Sequence, residues 1–191
     1  MRCFSCHTIS TKILCDNCRY GLFAPTVKIR QIGSLDVVSF YRYSTIESLL
    51  LSKHKPEGFR IFKYLGEITM QPFIDKFLKE SDSPIHIIGV DEKIKNGYSH
   101  VACLTQKMKR DRSTILHASL ISKNSISYAG KTLQYRLDNP RNFVYSGPKD
   151  IDAILVDDII TTGITLQEAK QTLTESRVNV LFALTIADAK D

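Results

Sequence analysis

Ala153-Ile154-Leu155-Val156-Asp157-Asp158-Ile159-Ile160-Thr161-Thr162-Gly163-Ile164-Thr165 is the most informative run of this 191-residue chain. Its apolar start predicts a buried strand over residues 151–156. Two carboxylates follow at the strand's carboxyl end, where open α/β sheets bind their ligands. Three threonines and a glycine come next, and Leu166, Ala169 and Leu173 then mark one face of a helix over residues 165–176. Backbone N–H groups of Thr161, Thr162, Gly163, Ile164 and Thr165 can wrap a phosphate, and the positive end of the helix points at the same place. Gly163 permits the tight path, and the three threonine hydroxyls can donate to phosphate oxygens. Asp157 and Asp158 repel phosphate, but they can accept hydrogen bonds from a diol or orient water around Mg²⁺. A phosphate on one side and a diol on the other describe a ribose 5-phosphate.

The flanking sequence builds the setting. Residues 178–186 are apolar at almost every position, which predicts a strand covered on both faces, as in a parallel sheet packed between helices. Earlier, residues 37–41 and 85–90 read as strands, and residues 45–53 as a helix. Residues 59–79 read as a helix split or kinked at Pro72. Residues 106–145 are rich in Lys, Arg, Ser and Asn, with a strand expected over 113–120 and the rest as loop and short helix. Strands alternating with helices predict an α/β domain with a parallel sheet. There is no G-x-x-x-x-G-K-[ST] loop and no G-x-G-x-x-G turn, so the two commonest nucleotide signatures are excluded.

The amino end differs. Four of the five cysteines lie in the first 20 residues, as Cys3-x-x-Cys6 and Cys15-x-x-Cys18. Two such turns bring four thiolates to one tetrahedral metal, and so small a unit needs that metal to fold. Structural Zn²⁺ is the expectation, with an iron–sulfur centre or a dithiol redox pair as alternatives and His7 as a substitute ligand. A zinc-binding module over residues 1–21 and a second domain over residues 22–191 follow, joined at Gly21-Leu22-Phe23-Ala24-Pro25. Cys103, beside Val101, Ala102 and Leu104, reads as a small buried residue.

No apolar run is long enough for a membrane span, and the first residues show no secretory signal, so a cytoplasmic location is expected. The formal charge is +6. A tetrathiolate zinc site carries −2 and lowers this to about +4, a balance that suits a phosphate-bearing ligand or nucleic acid as well as an ordinary solvated surface. Lys107, Lys109, Arg110 and Arg112 form a dense basic run. With Tyr128 and Tyr135 further on, it suits single-stranded nucleic acid, or a basic hood that clamps pyrophosphate.

Residues 153–165 are similar to the phosphoribosyl pyrophosphate (PRPP) signature of type I phosphoribosyltransferases: apolar residues, an acidic pair, then T-T-G-x-T. With the cysteine pairs ahead of it, the whole chain resembles the ComF (ComFC-like) competence family. Lys55-Pro56-Glu57-Gly58 is similar to that family's lysine-to-glycine segment. Gln134, Arg136, Asn139 and Phe143 resemble its Q…R-x-x-N…F stretch. Asn96-Gly97-Tyr98-Ser99-His100 resembles its R-G-F-N-Q, with the arginine and glutamine replaced.

The resemblance implies a type I phosphoribosyltransferase-like fold behind a zinc module, with PRPP and Mg²⁺ bound by the loop and the acids. It places residues 96–100 near the pyrophosphate, where a lost guanidinium removes a bidentate contact that Lys93 and Lys95 could replace as point charges. It also implies a role in natural transformation, with incoming single-stranded DNA as partner near the inner-membrane uptake machinery and peripheral attachment there. The alternative is an active transferase on a nucleobase or amine, although Ala187-Asp188-Ala189 offers no ring after the last strand to stack on a base.

Overall fold

The computed structural model describes residues 1–91, 93, 94, 97–124, 130 and 132–190. After a π-helical turn at Cys18–Leu22 come strands β1 (Lys28–Ile32) and β2 (Leu35–Arg42), then helices α1 (Tyr43–Leu51), α2 (Gly58–Ile68) and α3 (Met70–Glu80). Strand β3 (Ile85–Gly89), helix α4 (His100–Thr105) and the short strands β4 (Ser113–Ile115) and β5 (Leu120–Ser122) follow. Helix α5 (Leu133–Asp138) and strand β6 (Phe143–Tyr145) precede the closing unit of β7 (Ile151–Ile160), α6 (Ile164–Glu175) and β8 (Val178–Asp188).

Six strands form one sheet in the order β1-β2-β8-β7-β3-β4. Only the β1–β2 pair is antiparallel; β2–β8, β8–β7, β7–β3 and β3–β4 are parallel. The protein is therefore α/β with a mostly parallel sheet, as the alternation of elements predicts. Side chains alternate across β7 and build two cores at once. Ile154 and Val156 pack with Leu184 and Ile186 against α1 to α4, while Ala153 and Leu155 pack with Ala183 against Leu166, Ala169 and Leu173 of α6.

Three expectations need correction. Residues 59–79 form two helices, and the break falls at Thr69 (φ −121°, ψ −66°) rather than at Pro72. Pro72 has no N–H for the carbonyl of Ile68, and its ring crowds that carbonyl, so the first helix stops there and Pro72 sits harmlessly in the first turn of α3. The strand expected over 113–120 is two strands: β4 pairs with β3, and β5 pairs with β6 in a separate ribbon. The strand expected to end at Val156 continues to Ile160, because β8 supplies ladder partners up to Asp188. Asp157 and Asp158 thus belong to the strand and not to the loop after it.

The cysteine module does not stand apart from the rest. Cys3, Leu14 and Cys18 are buried in the same core as Phe40, Leu49 and Phe62. Among the described residues, no helix is long and apolar enough to cross a membrane.

Candidate functional site

The chain leaves β7 toward β8 and leaves β3 toward β4, on opposite sides, so the strand order reverses between the carboxyl ends of β7 and β3. Such a switch point is where open sheets bind ligands. Thr161–Thr165 forms one side of it. Gly163 has φ 85°, a left-handed conformation that lets the chain turn into α6, and a Cβ there would run into the side chain of Ile32. Among the described residues, the six consecutive amides from Thr161 to Leu166 donate to no group of the protein; the next, Gln167 N, bonds the Gly163 carbonyl at 3.0 Å. The start of α6 is therefore a cradle of N–H donors carrying the helix's partial positive charge.

Two arginines hold Thr161. Arg30 Nη2 donates to its carbonyl at 2.6 Å, and Arg136 Nη1 of α5 donates to its Oγ1 at 2.7 Å. In a trans peptide the C=O and the next N–H point opposite ways. Arg30 thus turns the Thr162 amide to the other side, toward the cradle. Arg30 is itself seated by Asp188, whose Oδ1 lies 2.8 Å from Nη1 in an ion pair without hydrogen-bond alignment.

The two acids have different surroundings. Asp158 Oδ2 accepts from Lys53 Nζ at 2.7 Å, and His100 Nε2 lies 3.3 Å from the same oxygen. A carboxylate has no hydrogen to offer, so Nε2 carries one. Burial alone would raise Asp158; the His100 hydrogen bond and the Lys53 charge outweigh it and hold the carboxyl below the usual carboxylate range. Among the described residues Asp157 has no hydrogen-bonded cation, and the Arg141 charge only partly offsets its surroundings. Its Oδ1 accepts the Asp158 amide at 2.8 Å, while burial and then the Asp158 charge push it well above the usual range. The structure therefore leaves Asp157 as the less committed acid.

On the other side, Asp91, two residues past β3, has φ 52° and is tied down by the Ser122 amide at 3.0 Å and by Arg141 Nη1 at 3.1 Å. Lys93 donates to the Ser122 carbonyl and lies 3.1 Å from its hydroxyl. Lys95 and Tyr128 lie outside the described residues.

The basic run sits elsewhere. It precedes β4, at the amino end of the sheet, whereas the Thr161 loop follows the carboxyl end of β7. Its charges are largely met within the protein. Lys107 lies 3.2 Å from Glu67, Arg110 grips Asp75 through two bonds of 2.6 and 3.1 Å, and Arg112 donates to the carbonyls of Ser81 and Leu78. Only the Lys109 side chain shows no such partner among the described residues.

The four N-terminal cysteines converge, with all their Sγ atoms within 4.8 Å of one another and Cys6 and Cys15 only 3.6 Å apart. Thiolates about 2.3 Å from one tetrahedral ion lie nearly 4 Å apart, so the cluster fits a metal. The Cys15 amide donates to Cys3 Sγ at 3.3 Å, a bond that favours the thiolate form. Cys103 is buried on α4.

Lys53 and Arg30 were not expected at this site. His100 and Arg136 each carried a signal, within the segments 96–100 and 134–143 that resemble the ComF family.

No family model matches the chain, and no curated protein matches it. Solved structures with a related architecture include Leishmania donovani UMP synthase, at 14% identity and TM-score 0.41, over 73% of this chain and 24% of that one. A hypoxanthine phosphoribosyltransferase from Staphylococcus aureus aligns at 15% identity and TM-score 0.40, over 66% and 62%. Adenine phosphoribosyltransferase from Saccharomyces cerevisiae aligns at 14% and 0.43, over 85% and 83%. The chain spans about a quarter of the first and less than two thirds of the second. Function rests on the site itself.

Proposed function

We propose that this protein is a type I phosphoribosyltransferase-like, PRPP-binding domain carrying a structural zinc module, and that it serves natural transformation. One observation carries the ligand assignment: six successive amides after the carboxyl end of β7 have no acceptor among the described residues, with Asp157 on the strand that leads to them. A 5-phosphate satisfies the amides, and Asp157 accepts from the ribose hydroxyls. Mg²⁺ would be held beside them by the ligand's own oxygens and through water by Asp157, which has no cation hydrogen-bonded to it among the described residues. It would neutralise charge on the pyrophosphate. Zn²⁺ fits the four cysteines, and the chain's own packing around Leu14 would then depend on it.

The test is calorimetry with PRPP and Mg²⁺. The unmodified protein should bind, and Asp157→Asn should bind far more weakly while still folding. No heat from the unmodified protein would overturn the reading.

The transformation role, with single-stranded DNA as partner at the inner membrane, rests on the resemblance to the ComF family. Its support in the described residues is thin, since three of the four basic residues in the run already face acids or carbonyls. It predicts salt-sensitive binding to unstructured oligonucleotides. Absence of binding at low salt removes it.

A second reading, an active transferase, is favoured by the left-handed Asp91 just past β3, since strained backbone gathers at reactive sites. An acceptor nitrogen would bond to C1 of the ribose while pyrophosphate leaves with the electron pair, beside Lys93. Pyrophosphate release across a panel of bases and amines decides it, and silence across the panel retires it.

A further inference from the structure

Helix α5 stands beside the cradle, and the chain after it is anchored from two directions. Glu168 of α6 accepts the amides of Arg141 and Asn142 at 3.1 and 2.6 Å, and Arg141 Nη1 reaches Asp91 Oδ2 at 3.1 Å. The helix is thereby tied both to α6, whose amino end forms the cradle, and to the turn after β3. Arg136 extends from it to Thr161 Oγ1 at 2.7 Å. This contact fixes the positively charged guanidinium at the loop itself. A phosphate oxygen is a much stronger partner for that charge, and the planar guanidinium can span two of them. Because Thr161 Oγ1 accepts from Arg136, its own hydrogen is left to point elsewhere, at a phosphate oxygen.

We propose that Arg136 is a direct ligand of the phosphate held by the Thr161–Thr165 loop, closing from α5 a site that is otherwise formed by the loop's own amides and hydroxyls. This rests on the phosphate-loop reading above. It adds a charged contact from a different element, and so makes affinity for the sugar phosphate depend on α5 as well as α6.

The experiment is calorimetric titration of the full chain with ribose 5-phosphate, without Mg²⁺, for the parent, Arg136→Ala and Arg136→Lys, with a thermal melt of each. Arg136→Ala should weaken binding about 10- to 100-fold, the worth of a charge-assisted phosphate contact, with an unchanged melt. Arg136→Lys should recover only part of the loss, because an ammonium cannot span two oxygens. Should the alanine variant melt early, Arg136→Gln, which keeps a donor for Thr161, makes the same comparison. Equal affinity in parent and variants overturns the assignment of Arg136 alone. If the parent binds no ribose 5-phosphate, the phosphate-loop reading fails and this inference falls with it.

Discussion

Lys53 Nζ lies 2.7 Å from Oδ2 of Asp158, joining the short turn after α1 to the carboxyl end of the central strand across 105 residues of chain. Asp158 is almost fully buried, and His100 shares the same oxygen. The pair therefore braces the site as well as lining it.

Removing one partner of a buried pair leaves an uncompensated charge, which is the expensive outcome. Lys53→Met should destabilise the protein by about 3 kcal/mol in urea titration. The double variant Lys53→Met with Asp158→Leu should lose less than either single change. A single variant within about 0.5 kcal/mol of the parent would show the pair to be idle.

The two acids should pull stability in opposite directions with pH. Asp158 is depressed in the folded state, so its contribution is present above the ordinary carboxylate pKa and is lost as pH falls through the folded value. Asp157 is raised, so its contribution is present at low pH and is lost as pH rises through the folded value. Asp157→Asn should thus be more stable than the parent at pH 8 while binding PRPP poorly, a trade of function for stability. Urea midpoints at pH 5 and pH 8 check this. A variant less stable than the parent at pH 8 would mean that Asp157 is not strained.

Gly163→Ala must adopt φ 85° and place a methyl against Ile32. A loss of about 1–3 kcal/mol is expected, together with loss of phosphate binding. Adding Ile32→Ala should return part of the stability by relieving the clash, but not the part due to the backbone. Full recovery would show that the left-handed turn costs nothing.

Metal should be worth folding energy to the whole chain and not only to residues 1–21, because Leu14 and Cys18 are buried with Phe40 and Leu49. One zinc per chain is expected by atomic absorption. Stripping it, or making Cys15→Ser, should lower the single melting transition by several degrees. Two separate transitions with the larger one unmoved would show an independent module.

The loop Thr161–Thr165 and the cysteine pairs were legible in the sequence because each is local: strand, turn and helix chemistry in one run, and paired cysteines with two residues between them. The α/β class was legible for the same reason, through period and alternation. What lay beyond reach involved partners distant in sequence. The length of β7 depends on β8, the stop before α3 on where Pro72 falls in a turn, and the fate of the basic run on Glu67 and Asp75 in other helices. The inequality of Asp157 and Asp158, identical residues side by side, was decided only when Lys53 and His100 were brought to one of them. Local propensity cannot carry that information, since a carboxylate's charge and hydrogen bonds are set by whatever the fold packs against it.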